Sequence, residues 1–174
     1  MYKTKNDDNI FYKYLAGVIS SKELEQLVYR CSHIENVLPR ETYFELISYN
    51  FESNKLYDFV LNIVKSYCDI DAFEKYRTIE LLNSIVDGEL DFHSAATKLY
   101  NVFNDQCHRL KIPIISKELG LQFWDLLDVI PKESEYKNWN KDALKEQLEE
   151  YGNPEEKLFE LAKKELSILS EKRN

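Results

Sequence analysis

The chain has 174 residues, 44% of them hydrophobic, which is enough to bury a core at a length that fits one ordinary domain. Only four glycines and four prolines leave few tight turns, which excludes most sheet architectures and favours long helices. A formal net charge of −8 repels nucleic acid on average, and no stretch of about 18 uncharged apolar residues is present to span a membrane.

The charge is uneven. Residues 1–40 carry 6 basic and 5 acidic groups, residues 41–130 carry 8 and 15, and residues 131–174 carry 9 and 11, so the middle is a docking field for a basic partner or simply a solvated face. Cys31, Cys68 and Cys107 form an odd set with no paired spacing, as expected of reduced cytosolic thiols. With no apolar run after its first lysines, the chain is expected to be soluble, unexported and cytoplasmic.

In chain order, Ile10, Phe11, Tyr14 and Leu15 form a helical stripe, with Asp7 or Asp8 as a cap and Gly17 as a stop. Ser20 and Glu23 make a capping box for a second helix over about Lys22 to Cys31, whose Leu24, Leu27, Val28 and Cys31 share a face. Ile34, Val37 and Leu38 carry the pattern to Pro39, which opens a third helix through Tyr43, Phe44, Leu46 and Ile47 to about Asn50. Ser53 or Asn54 caps a fourth, in which Leu56, Phe59, Val60, Ile63, Val64 and Tyr67 keep the helical period. Asp69 begins a fifth, from Ile70 through Phe73 and Leu82 to Val86, closed by Gly88.

A sixth helix runs from about Phe92 to Leu110, with Ala95, Ala96, Leu99, Val102 and Phe103 inward, and Pro113 breaks the chain after it. Residues 112–115 could be extended. Ser116 then opens a helix predicted to pass through Phe123, Trp124 and Leu127 to Pro131, although Gly120 inside it weakens that pattern. Residues 131–140 read as the longest loop, and its Tyr136 and Trp139 must be tucked in somewhere. Asn140 caps a helix stopped by Gly152, and Asn153 with Pro154 starts the last one, on which Leu158, Leu161, Ala162, Glu165 and Leu169 share a face. The expected fold is all-α: one domain, residues 1–174, of about eight or nine helices.

The strongest enzymatic constellation is Asp105, Cys107 and His108. Asp105 and His108 stand one turn apart and could share a metal, but carboxylate-bundle sites need a second Glu-x-x-His pair and further glutamates that are missing. His93 lies about 21 Å of helix from Cys107, too far to close a zinc shell with it. Adjacent Cys107 and His108 point about 100° apart, which does not make a nucleophile and base. Asp125 and Asp128, and the cluster Asp87, Glu89 and Asp91 around Gly88, read more simply as negative patches than as cation sites, since the latter lacks an EF-hand's ligands. No phosphate loop, nucleophile elbow or His-Glu-x-x-His is present, so the chain reads as neither an enzyme nor a metalloprotein. Twelve tyrosines are many, and tyrosine beside acids is chemistry suited to gripping a basic protein, although half of them would serve simply as packing.

The order Gly17, Ile19, Ser20, Glu23, Leu27, Val28, Tyr29, an acidic turn, then Glu41, Tyr43, Leu46, Ile47, Ser48, Asn50 and Phe51 resembles small helical bacterial immunity proteins. These are the partners of contact-dependent growth-inhibition and related polymorphic toxins, and the likeness covers residues 11–51. It implies a cytosolic, acidic, non-enzymatic inhibitor without cofactor, which binds a C-terminal toxin domain, often a basic RNase, and covers its active site. On that reading the toxin-binding candidates are Asp87, Glu89, Asp91, Asp125 and Asp128, with Tyr100, Trp124 and Trp139 as aromatic anchors. The rivals are a helical adaptor for another protein and a bundle metalloenzyme built on Asp105 and His108.

Overall fold

Every regular element among the described residues is helical. The computed structural model describes residues 10–138 and 140–171, which hold ten α-helices and two 3-10 helices. The α-helices are α1 (Ile10–Leu15), α2 (Ser21–Arg30), α3 (Ser32–Val37), α4 (Arg40–Ile47), α5 (Leu56–Tyr67), α6 (Ile70–Val86), α7 (Phe92–Arg109), α8 (Lys117–Leu121), α9 (Lys141–Glu150) and α10 (Pro154–Glu171). The all-α expectation therefore holds, with one helix more than the upper count. None of the described helices is long and apolar enough to cross a membrane.

The extra helix is α3. Had α2 continued through Cys31, Ile34 would point about 120° away from Val28 at 100° per residue. Cys31 instead leaves the helical region at φ −97° and ψ 88°, and the restart buries Ile34 and Leu38 as well as Leu24 and Val28. At the other end of α2 the capping box forms as its sequence predicts: Ser20 Oγ accepts from Glu23 N–H, and the Glu23 carboxylate accepts from Ser20 N–H at 2.8 Å.

The chain divides into two compact units, residues 1–77 and 78–174, with the boundary inside α6. In the first, α1 packs on α2 and α5, and α4 packs on α2 and α3. Its core is built from Tyr12, Leu24, Val28, Leu46, Leu56, Val60, Val64 and Phe73. Tyr12 lies off the sequence stripe of α1 and is nonetheless buried, because α1 is covered on two sides. Its hydroxyl donates to the Asp69 carbonyl at 2.7 Å, and its ring lies 5.5 Å from that of Phe73. Burial, with the Cys68 and Asp69 charges, drives its pKa well above the ordinary phenol value. Asp7 and Asp8, the proposed caps of α1, fall outside the described residues.

The second unit is organised on α7, against which α8 and α10 pack. Leu82, Phe92, Ala95, Leu99, Ile115, Leu119, Phe123, Ile130, Leu158 and Ala162 make its core. Gln106, fully buried, ties the irregular segment after α7 back to it. Its Oε1 accepts from Ile114 and Ile115 N–H at 2.9 and 3.0 Å, and its Nε2 donates to Thr78 Oγ1 at 2.8 Å. Glu165 of α10 accepts from Ser116 N–H at 2.8 Å, so the polar residue on the inner face of that helix also carries a backbone bond.

The single helix expected from Ser116 to Pro131 is broken. Only Lys117–Leu121 is α-helical, followed by a 3-10 helix at Trp124–Leu126. Gly120 is there for proximity: a Cβ at this position would sit 2.5 Å from Phe103 Cγ, so a bare backbone lets α8 lie close on α7, at the expense of helix propensity. The predicted loop at 131–140 contains a second 3-10 helix, Glu133–Asn138.

Candidate functional site

A cleft of about 780 Å³ lies in the second unit between α7 and the segment that follows α8. Two features build it. Along residues 123–130 the apolar side chains Phe123 and Ile130 turn inward, and Phe123 packs edge-on against Phe92 at 6.0 Å, so Trp124, Asp125 and Asp128 are turned outward. His93 of α7 then fixes the far end of that segment: its Nε2 lies 2.7 Å from the Ile130 carbonyl, which can only accept, so Nε2 carries the proton.

An aromatic shelf stands on this wall. Trp124 stacks on Tyr100 of α7 with ring centroids 3.9 Å apart and planes 18° apart, yet remains 41% exposed. A large indole held flat by a neighbour and left open is a pre-ordered anchor, and such anchors dominate protein interfaces. It lines the cleft together with Leu127, Thr97 and two pairs of opposite charges, Asp91 and Asp128 against Lys98 and Lys132.

Asp91 is partly committed to the fold. As N-cap of α7 it accepts from Ser94 N–H at 3.0 Å and from Ser94 Oγ at 2.6 Å. The Ser94 hydroxyl, then its amide, hold the carboxyl below the usual carboxylate range. The side chains of Asp128, Lys98 and Lys132 enter no ion pair or hydrogen bond among the described residues.

Of the residues singled out in sequence, the structure gathers Asp91, Trp124 and Asp128 at the cleft and attaches Tyr100 through its stack. Asp125 is exposed beside Trp124 without lining the cleft. Asp87 and Glu89 are exposed on the turn after α6, outside it. There Gly88 takes φ +71°, while Gly88 N–H bonds to Ile85 O and Glu89 N–H to Ser84 O, a helix-ending motif that accounts for this acidic loop in structural terms. Trp139 lies outside the described residues. Sequence reasoning missed Thr97, Lys98, Leu127 and Lys132, and considered His93 only as a metal ligand. The i, i+4 spacing of His93, Thr97 and nearby Lys98 on the outer face of α7 was the available signal.

The metalloenzyme rival loses its geometry. Asp105 is paired with Arg109 at 3.6 Å, and His108 and Cys107 are exposed rather than turned into a cavity. Among the described residues, no three His, Cys, Asp or Glu side chains come together to hold a metal. Compared with known proteins, the chain matches no family model, no curated sequence and no solved structure.

Proposed function

We propose that this chain is an immunity protein, which binds a cognate toxin domain and neutralises it by covering its active site, with a basic nuclease, an RNase above all, as the partner its charge fits best. The observation that carries the reading is the open Tyr100–Trp124 shelf bordered by Asp125 and Asp128. A rigid, half-exposed indole ringed by charged groups is suited to gripping a protein surface. A net charge of −8 supports it further, since long-range attraction speeds capture of a basic partner. The pattern over residues 11–51 that resembles immunity proteins consists largely of helix punctuation and core, so it supports the scaffold, while the α7 face supports the binding.

The test is co-expression with the C-terminal domain of the protein encoded immediately upstream of this chain's gene, scoring toxicity, survival and co-purification, and a neighbour that is not toxic removes the reading. Rescue with a stable one-to-one complex is expected. A domain that kills regardless and does not bind removes the reading and leaves the adaptor one, which uses the same surface for a different partner.

A further inference from the structure

The sequence suggests a uniformly acidic grip, but the cleft is electrically balanced. Lys98 and Lys132 face the same space as Asp91 and Asp128. Asp128, Lys98 and Lys132 form no ion pair with one another among the described residues, and exposed groups of opposite sign gain little by pairing, so each stays available to a partner. Left apart, they offer separate sites to a ligand that carries both signs. The open part of the Trp124 indole adds a surface on which a guanidinium can lie. The cleft, about 780 Å³ and open to solvent, has room for a short protruding piece of polypeptide.

We infer that this cleft is the docking site for a protruding segment of the partner protein that carries an arginine and a carboxylate close together. The arginine lies on Trp124 and pairs with Asp128. The carboxylate is met by Lys98 and Lys132. This rests on the immunity reading and deepens it, because it names the contact surface and makes the partner's footprint bipolar rather than simply basic. Charge complementarity is what selects this occupant over an all-basic loop, which Lys98 and Lys132 would repel.

The two pictures differ in sign at one residue. If acidity alone held a basic toxin, Lys98→Glu would make the chain more acidic and tighten or preserve binding. If the cleft is bipolar, Lys98→Glu weakens it. The probe is the toxin domain encoded immediately upstream, titrated against wild type, Lys98→Glu, Asp128→Lys and Trp124→Ala by calorimetry, with thermal unfolding of each variant as a check on folding. About tenfold or greater weakening is expected for each of the three, and Lys98→Glu, at an exposed helix position, keeps the test valid if Trp124→Ala folds poorly. Wild type that binds while Lys98→Glu binds equally or more tightly overturns the cleft and leaves the immunity reading standing. Wild type that does not bind removes both. Self-association of the isolated chain, abolished by the same substitutions, would assign the cleft to a second copy and overturn the proposal as well.

Discussion

Replacing Gly120 with alanine tests the packing that holds the wall of the cleft in place. At an ordinary interior helix position glycine to alanine stabilises by about 1 kcal/mol. Here the added methyl would lie 2.5 Å from Phe103 Cγ and 2.6 Å from Phe103 Cβ. The Cβ is fixed to the α7 backbone and cannot rotate away, so α8 must back off from α7. Overpacking of this kind costs about 1–3 kcal/mol, and the rigidity of the clashing atoms argues for the upper half of that range. The net expectation is a loss of about 1–2 kcal/mol, or a drop in Tm of about 2–8 °C at this chain length. Urea unfolding followed by helical circular dichroism measures it. Phe103→Ala removes Cγ but leaves Cβ, so in that background the alanine penalty should shrink without vanishing, a coupling a double-mutant cycle reads directly. A Gly120→Ala variant more stable than wild type would refute the close approach.

Three further outcomes follow from named bonds. Gln106→Leu leaves the Ile114 and Ile115 N–H groups without their acceptor and should cost about 2–4 kcal/mol in the urea midpoint, far more than its near-equal volume suggests. Asp91→Asn keeps a capping side chain but no charge. Because the Asp91 carboxyl is held below its ordinary value, its charged form adds stability at neutral pH that disappears as pH falls through that lowered value, so the wild-type advantage at pH 7 should close in acid unfolding series run below about pH 4. Tyr12→Phe removes the hydroxyl bonded to Asp69 O and should cost about 1 kcal/mol. As the folded pKa of Tyr12 is raised above its ordinary 10.0, the unfolded chain ionises first, and wild type should lose stability above pH 10 more steeply than the Phe variant in alkaline urea titrations.

Much of the fold was legible because its punctuation is local. Ser20 with Glu23, Asp69, Ser116 and Asn140 each accept from the first amides of the helix they were read to open, since a short polar side chain meets those amides whatever the tertiary setting. By contrast α5, read as capped by Ser53 or Asn54, starts after Lys55 without a side-chain cap, and the cap that Asp91 gives α7 was not read at all. What the sequence hid depends on neighbours. Tyr12 has no place in the apolar stripe of Ile10, Phe11, Tyr14 and Leu15, and the packing of α1 on two helices buries it. Gly120 looked like a weakness in a helix and is a point of contact. In the candidate site, Trp124, Asp91 and Asp128 were found by residue type, whereas Lys98 and Lys132 were passed over because a search for acidic patches has no reason to select lysines 34 residues apart.

That omission bears on how the two scales of charge act. The net −8 is a property of the whole surface, felt over roughly a Debye length of 8 Å at physiological salt, and it governs how often a basic partner arrives. The cleft's own four charges cancel, so they contribute little to arrival, and they act only at contact, where each finds or lacks its opposite. If the proposed cleft is the contact surface, total charge limits the class of partner, while the arrangement around Trp124 limits which member of that class stays bound. On the immunity reading proposed above, a scaffold with the same net charge but a different set of residues at 98, 124, 128 and 132 would meet the same basic partners as often and release the wrong ones sooner.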